Sequence, residues 1–285
     1  MRSTAEAHDH DEDHHRGLAF DVGTVMARRR ALQLLGGAGL LALVGCGSSG
    51  SDGAATSTTA AAAAGAASTT AAGSSNSTSG DVIPTETAGP YPGDGSNGPD
   101  ALSESGIVRR DITTSFGDSS GTAGGVPLAI KLVVTDAATG KARSGAAVYV
   151  WHCAREGGYS MYSPGVEDQN FLRGVQATGS DGTATFDSIF PGAYDGRWPH
   201  VHFEVYESVD AATSGGTPIA TSQIALPKAT CDEVYATKGY EASPANLARV
   251  SLQTDMVFAD SYQQETGTIT GTVAKDLTVT LPVPV

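Results

Sequence analysis

The amino-acid sequence predicts an all-β fold, an antiparallel β-sandwich with long functional loops and few short helices. Many short segments alternate apolar and polar residues, glycine-rich turns separate them, and helix signals are rare. Alternation puts every second side chain on one face of a strand, so each strand can bury one face against a second sheet. Two sheets packed together are therefore the architecture that this pattern favours.

The first segment, residues 1–46, has the pattern of a bacterial export signal. Three consecutive arginines, beginning at Arg28, precede an apolar run that is too short and too rich in glycine to predict a membrane-spanning helix. The arginines indicate the twin-arginine route, and the last four residues of the run resemble a lipobox, in which Cys46 is lipidated. An uncleaved membrane anchor is the alternative. Both interpretations place the rest of the chain outside the cytoplasm, lipid-anchored on the outer face of the bacterial membrane or secreted.

Composition divides the remainder into a linker and a domain. Residues 47–80 are almost entirely Ala, Ser, Thr and Gly, which predicts a flexible linker because such residues bury too little apolar surface to fold. Residues 81–285 have the composition of a globular domain with one core. The net charge of the whole chain is −14, which argues against nucleic acid as a partner. The lipid anchor is then the one expected contact with a membrane.

The elements of the domain follow in chain order from the alternation of apolar and polar residues. Seven strands are predicted, at 126–135, 144–151, 183–189, 200–207, 220–226, 266–273 and 277–283. A short helix is predicted at 232–236, and a helical turn capped by Ser243 has Pro244 at its first position. The segment 239–285 contains no recognisable functional motif.

The strand predicted at 200–207 carries the sequence His-Val-His-Phe-Glu-Val-Tyr, so His200 and His202 point to the same face. Two imidazoles on one face of a rigid strand can bind a metal ion. A strand with two exposed histidines explains this pair equally well. The surrounding residues decide between the two.

Two tyrosines and an arginine accompany the histidines. Tyr159 ends a glycine-rich loop, Tyr194 follows a Pro-Gly turn, and Arg197 lies three residues before His200. A single tyrosine near a turn usually packs with its hydroxyl hydrogen-bonded, but two tyrosines near a His-x-His pair favour a metal site. Phenolate is a hard ligand and imidazole a borderline one, a set better matched to ferric iron than to zinc or copper(I).

These motifs resemble those of the intradiol ring-cleavage dioxygenases, non-haem ferric enzymes that include catechol and protocatechuate dioxygenases. The family pattern is a Trp followed by Gly-x-Tyr, then Pro-Gly-x-Tyr, then Arg-x-Pro-His-x-His, and it occurs here at 151–159, 191–194 and 197–202. The resemblance implies a β-sandwich that uses O2 to cleave a catechol-type aromatic diol between its two hydroxyl-bearing carbons. The product would be a cis,cis-muconate-type diacid.

The same resemblance assigns the residues of the site. It implies four ligands for Fe(III): Tyr159, Tyr194, His200 and His202. Tyr194 would be the phenolate that the substrate displaces, and Arg197 would stabilise negative charge on the reacting ring. A surface ion pair with Asp195 is the alternative role for Arg197. Gln223 resembles a glutamine that hydrogen-bonds near the oxygen-binding face, although a polar strand residue is the ordinary interpretation.

Five residues are predicted to contact the substrate. The segment containing Gly89, Pro90 and Tyr91 resembles one that lies over the substrate in a protocatechuate dioxygenase subunit, whereas an ordinary loop is the alternative. Tyr162 and Trp198 are predicted to form walls of the pocket, although both are also suited to packing inside a sandwich.

Cys153 and Cys231 are predicted to form a disulfide, because an exported domain meets an oxidising compartment. Two buried free thiols are the alternative.

Two other classes of function compete with the dioxygenase interpretation. One is a non-catalytic β-sandwich that binds a polysaccharide or a surface partner and retains a relic metal site. The other is a zinc-dependent hydrolase, although tyrosine pairs are unusual ligands for zinc.

Overall fold

The computed structural model describes residues 81–285, which form eight strands in two four-stranded sheets and four short helices. The strands are β1 (Pro127–Thr135), β2 (Ala147–Trp151), β3 (Arg173–Ala177), β4 (Thr183–Ile189), β5 (His200–Tyr206), β6 (Ala220–Ala225), β7 (Thr268–Thr272) and β8 (Lys275–Pro284). The helices are α1 (Val209–Thr213), α2 (Lys228–Tyr235), α3 (Ser243–Leu247) and α4 (Tyr262–Glu265). The predicted all-β sandwich is confirmed.

The first sheet has the strand order β4-β1-β8-β7. In β1, every second residue is buried and the residues between them are wholly or partly exposed. One face of the strand therefore covers the core, and the other meets solvent. The pairing of β1 with β8 is parallel, whereas the other five pairings between the named strands of residues 81–285 are antiparallel. The sandwich is therefore antiparallel with one parallel pair, which the sequence did not predict.

The second sheet has the strand order β3-β2-β5-β6, and every residue of β2 and β5 is buried. On one face of β5, Val201, Phe203 and Val205 join the main core between the sheets. On the other face, His200 and His202 point away from that core, towards the loops that cover the sheet. The strand therefore holds both imidazoles in a buried place outside the main core.

The sequence missed or misplaced several short elements. Strand β3 was not predicted, and α2 begins at Lys228, four residues before its predicted start. Helices α1 and α4 were also missed. The prediction that Ser243 caps α3 through its side chain is wrong, because its hydroxyl accepts a hydrogen bond from the backbone N–H of Ala193 at 3.0 Å.

The predicted disulfide is wrong in this structure, where Cys153 and Cys231 are both free and buried. Cys153 Sγ donates to the carbonyl of Gly192 at 3.4 Å, and Cys231 Sγ approaches the carbonyl of Leu226 at 3.8 Å. The two thiols also belong to different clusters of buried side chains. Each sulfur is therefore satisfied by a local carbonyl and by packing.

Several predictions fall outside the described residues. The export signal at 1–46, the lipidation of Cys46 and the linker at 47–80 all lie there. Among residues 81–285, no helix has the length and apolar character that crossing a bilayer requires.

Candidate metal centre

Four side chains that the sequence singled out meet around one atom, the Nε2 nitrogen of His200. The distance from this atom is 3.1 Å to His202 Nε2, 3.2 Å to the Tyr194 hydroxyl and 3.5 Å to the Tyr159 hydroxyl. The structure thus brings together two imidazole nitrogens and two phenol oxygens from three separate segments of the chain.

The neighbours of β5 hold the histidine rings in place. His202 lies opposite Trp151 of β2 and opposite Gln223 of β6. The Trp151 indole stacks on the His202 ring, with centroids 4.9 Å apart and planes 4° from parallel. A ring packed in this way has little rotational freedom, so the direction of its Nε2 atom is set before any ligand binds.

Backbone geometry fixes the tautomer of His200. Its Nδ1 atom lies 2.5 Å from the carbonyl oxygen of Trp198, which can only accept, so Nδ1 carries the proton. Nε2 therefore presents its lone pair to the other three groups, as a metal ligand requires. His202 Nδ1 is buried and has no hydrogen-bond partner among the described residues.

Tyr159 is held by a tight loop. The N–H of Ala154 donates to the carbonyl of Gly158 at 2.7 Å, and the N–H of Tyr159 donates to the Ser163 hydroxyl at 2.8 Å. Gly157 adopts a positive φ of 93°, and a Cβ there would lie 3.3 Å from Tyr194 Cβ, so glycine allows the two tyrosine segments to approach. The Tyr159 side chain is buried as a result.

Tyr194 is positioned from the C-terminal part of the chain. Helix α3 holds the preceding residue, Ala193, at both ends: Ala193 N–H donates to the Ser243 hydroxyl, and Asn246 Nδ2 donates to the Ala193 carbonyl at 2.7 Å. Tyr194 itself is half-buried, unlike Tyr159. Of the two phenols, it is the one with access to the outside of the site.

Burial sets the charge of these groups. Desolvation, followed by the nearby charge of Arg197, lowers the pKa of His200 to about 3. Desolvation and then His200 lower the pKa of His202 well below its usual value, so both imidazoles are neutral at pH 7. Desolvation and then Tyr194 raise the pKa of Tyr159. A bound cation would oppose that shift, because it favours the phenolate.

The donor set is suited to a hard, highly charged cation. Within residues 81–285, no group of three or more His, Cys, Asp or Glu side chains could hold a metal ion. A metal at this centre therefore depends on the tyrosine oxygens in addition to the two imidazoles. Phenolate oxygen with imidazole nitrogen fits ferric iron, so the residues present match the group that the sequence predicted.

Arg197 is buried beside the centre. Its Nε atom donates to Asp255 Oδ2 at 3.0 Å, and its Nη2 atom donates to Gln223 Oε1 at 2.7 Å. The alternative ion pair with Asp195 does not form, since Asp195 lies at the surface and accepts from Arg249 at 2.9 Å. The guanidinium therefore belongs to the interior of the site.

The N-terminal segment that contains Gly89, Pro90 and Tyr91 lies against the centre. The ring of Tyr91 is 4.9 Å from that of Tyr159 and 5.1 Å from that of Tyr162. The Tyr162 hydroxyl accepts from the N–H of Gly93 at 2.9 Å. The structure thus brings the predicted loop and Tyr162 close to the tyrosine ligand candidate.

The side chains of Arg173 and Gln223 hold this segment. Arg173, buried at the start of β3, donates to the carbonyls of Tyr91 at 2.8 Å and Pro92 at 2.9 Å. Gln223 Nε2 donates to the carbonyl of Thr87 at 2.9 Å. Gln223 therefore connects Arg197 to the loop above the centre.

The prediction that Trp198 forms a pocket wall is wrong. Its side chain is 3% exposed and belongs to the main core between the sheets. Its indole N–H donates to the carbonyl of Leu226 at 2.8 Å. Trp198 is a packing residue, and its backbone carbonyl is what reaches His200.

Sequence reasoning missed two residues of the centre, Asp255 and Phe258. Phe258 places its ring 6.2 Å from the His200 ring and 5.8 Å from the Arg197 guanidinium carbon. Both residues lie in the segment without a recognisable motif. The sequence signal for them was limited to an aspartate followed by a short apolar run, and an aspartate before such a run is common in turns.

A pair of buried carboxyl groups lies beside β6. The Ser261 hydroxyl is 3.3 Å from Glu86 and 2.7 Å from Glu265. Desolvation, with the charge of Glu265 as the second cause, raises the pKa of Glu86 to about 8. Burial raises the pKa of Glu265 to about 7. The pair links the N-terminal segment to α4.

Comparison with known proteins shows which proteins this chain resembles. Residues 97–212 match the family model described as Dioxygenase. Chlorocatechol 1,2-dioxygenase of Rhodococcus opacus is 42% identical over 52 residues, which are 18% of this chain and 20% of that enzyme. The match thus spans about a fifth of the length of this curated relative.

Solved structures agree with the sequence matches. The intradiol ring-cleavage dioxygenase from Tetranychus urticae is 26% identical with a TM-score of 0.51, over 64% of this chain and 87% of that one. A second dioxygenase structure has the same identity and coverage and a TM-score of 0.53. The resemblance to intradiol dioxygenases that the motifs predicted is confirmed.

Proposed function

We propose that this chain is an intradiol ring-cleavage dioxygenase that uses Fe(III) and O2 to cleave a catechol-type diol between its hydroxyl-bearing carbons. The product would be a cis,cis-muconate-type diacid. The observation that carries the proposal is that two phenol oxygens and the Nε2 atom of His202 lie within 3.5 Å of His200 Nε2. The dioxygenase relatives give this donor set its most direct interpretation.

Tyr159, Tyr194, His200 and His202 are the proposed iron ligands. When bound, ferric iron would supply a Lewis acid that lowers the pKa values of the diol hydroxyls and makes the ring reactive towards O2. The imidazoles are ready to act as ligands, because burial keeps them neutral and Trp198 fixes the tautomer of His200. The buried Tyr159 is the ligand suited to remain in place during turnover.

Tyr194 is the proposed displaceable ligand and proton acceptor. Its half-exposed position lets the phenol move aside without opening the core, whereas Tyr159 is 2% exposed. A departing phenolate can take a proton from the incoming diol at its own oxygen. The diol hydroxyl would thereby lose its proton inside the site, without a separate base.

Arg197 is proposed to stabilise the negative charge that develops on the ring as the diol reacts with O2. The guanidinium is 1% exposed, and a charge in so dry a place acts more strongly on a neighbouring anion than it would in water. Gln223 holds one end of it at 2.7 Å and anchors the loop at Thr87 with its other end. Gln223 would thus position Arg197 relative to the substrate.

The site is proposed to work outside the cytoplasm, on a domain exported by the twin-arginine route and attached to the membrane through a lipid on Cys46. This rests on the signal pattern of residues 1–46. Labelling of cells with a radioactive fatty acid would test it, since wild type should take up label and a Cys46→Ala variant should not. Label on both proteins, or on neither, would contradict the anchor.

The function is tested with the purified full chain after loading with iron. A visible band from tyrosinate-to-Fe(III) charge transfer should develop with one iron per chain, and ultraviolet spectra should report diacid formation together with O2 uptake for at least one diol of a panel. Catechol, protocatechuate, hydroxyquinol and a larger lignin-derived diol make a suitable panel. Tyr206→Phe is a matched control, because Tyr206 hydrogen-bonds Glu204 away from the centre.

Two outcomes would count against the proposal. A colourless protein that binds zinc in preference to iron would favour hydrolytic chemistry. A coloured iron protein whose spectrum is unchanged by every diol would indicate a relic metal site on a binding module.

A further inference from the structure

Asp255 is a fully buried carboxylate whose two oxygens accept four hydrogen bonds. Oδ2 accepts from Arg197 Nε at 3.0 Å and from the backbone N–H of Trp198 at 2.7 Å. Oδ1 accepts from the backbone N–H groups of Val257 at 2.9 Å and Phe258 at 3.1 Å. Both partners of the ion pair are essentially unexposed, at 1% for Arg197 and 0% for Asp255.

A buried ion pair contributes little net free energy to folding. Removing two charges from water costs several kcal/mol per ion, and an apolar pair of similar volume often serves the fold as well. A buried pair is better explained when the fixed orientation of one partner has a use. Here Arg197 has that use, since it lies beside the four groups of the metal centre.

Asp255 and Gln223 hold the Arg197 guanidinium at two different nitrogens. Asp255 binds the Nε edge of the guanidinium, and Gln223 binds Nη2 at 2.7 Å. Because the group is planar, partners at two of its nitrogens restrain both its position and the tilt of its plane. Without Asp255, the guanidinium would keep its charge but would lose one of these two restraints.

The same carboxylate also supports a ligand. It holds the backbone of Trp198, whose carbonyl fixes the tautomer of His200 at 2.5 Å. It also closes the turn that places the Phe258 ring 6.2 Å from the His200 ring. The Asp255 side chain therefore holds both Arg197 and the backbone just before His200.

We infer that Asp255 is a positioning residue for ring cleavage, which fixes the Arg197 guanidinium in the orientation that the reaction needs. The inference rests on the proposed function and deepens it, because it gives the segment 239–285 a role at the site. Asp255 lies outside residues 97–212, which match the family model, and is 58 positions from Arg197. No local motif connects the two.

The test is Asp255→Asn in the iron-loaded full chain. Asn has nearly the same volume but places a donor where one of the carboxylate acceptors was, so at least one of the four bonds is lost. We expect kcat to fall by about 10- to 100-fold with KM changed less than about threefold and the charge-transfer band retained, since the interaction matters most in the transition state. Asp232→Asn, which breaks an exposed pair with Lys228, removes the same charge and should leave kcat unchanged.

A double-mutant cycle separates positioning from general damage. In an Arg197→Met background, Asp255→Asn should lower kcat by less than about twofold, because the group that it orients is gone. Equal fold-losses in the two backgrounds would overturn the inference. So would an unchanged kcat in Asp255→Asn itself. If that variant fails to fold, Asp255→Glu keeps the charge and displaces the carboxylate by one methylene, and its kcat should fall while KM holds.

A second readout does not depend on activity. In ¹H–¹⁵N NMR spectra of the metal-free protein, the Arg197 Nε–H should exchange slowly with water, and Asp255→Asn should accelerate its exchange by more than tenfold. Unchanged exchange would overturn the inference. If wild type cleaves no diol, the proposed function fails, and this measurement decides by itself whether Asp255 orients Arg197.

Discussion

Gly192 offers a sharp test of how the two tyrosine segments are held together. It lies in the turn that precedes Tyr194, and its N–H donates to the carbonyl of Ala154 at 3.2 Å, in the loop that leads to Tyr159. A Cβ added at Gly192 would meet the carbonyl oxygen of Arg155 and would lie 2.8 Å from its carbonyl carbon. Gly192→Ala should therefore push the two segments apart.

The size of the effect follows from the nature of the obstacle. Overpacking typically costs about 1–3 kcal/mol, and a backbone carbonyl cannot rotate away as a side chain can. We expect a loss of about 3 kcal/mol in the free energy of unfolding, the upper end of that range. For a domain of this size, that corresponds to a fall in Tm of about 6–12 °C.

Urea unfolding of the metal-free protein measures the loss, with an unchanged m-value as the check that the same surface unfolds. Gly179→Ala is the control, because its Cβ would meet only Asp181 Oδ1 at 3.2 Å and Thr183 O at 3.8 Å. It should change stability by less than about 1 kcal/mol. A Gly192→Ala protein within about 0.5 kcal/mol of wild type would refute the close approach of the two segments.

Three further predictions concern buried groups. Tyr159→Phe should abolish most of the charge-transfer absorbance and lower the iron content, measured by metal analysis; an unchanged band would remove Tyr159 from the ligand set. Glu86 has a pKa of about 8 in the fold against an ordinary 4.5, so the folded state retains a proton that the unfolded state loses. The free energy of unfolding should then fall as pH rises from 4.5 to 8. The total loss is at most about 1.4 kcal/mol for each unit by which the folded and unfolded pKa values differ, and Glu86→Gln should flatten this pH dependence in urea titrations across the same range. Cys153 and Cys231 should each take up a thiol reagent only after denaturation, because burial raises the pKa of Cys153 to about 12 and raises that of Cys231 as well; a disulfide-linked peptide in non-reducing mass spectra would contradict this.

Local sequence pattern was sufficient for most strands and for the donor atoms. Alternation along 200–207 put His200 and His202 on one face, and the structure retains this because the opposite face of β5 fills the main core. The Gly-rich loop before Tyr159 and the Pro-Gly turn before Tyr194 were also visible, since glycine and proline mark turns directly. Each of these signals lies within a few residues of the group it positions.

The features that sequence did not predict depend on distant contacts. Strand β3 begins with the buried Arg173, whose charge is tolerated because three carbonyls and two hydroxyls surround it, and no local pattern announces those partners. The parallel pairing of β1 with β8 joins segments about 150 positions apart. Trp198 lies between two candidate site residues in sequence, yet its side chain points into the main core.

The donor side chains of the centre and the groups that orient Arg197 should respond differently to substitution. The four donor atoms come from residues 159–202, whereas two groups that orient Arg197, Asp255 and Gln223, lie later in the chain. Substitutions at the donors should therefore change iron content and turnover together. Substitutions at the orienting groups should change turnover while the iron content holds. Because the two quantities are measured separately on the same sample, a variant of Asp255 or Gln223 that loses iron in proportion to activity would show that orientation and metal binding are one function in this fold.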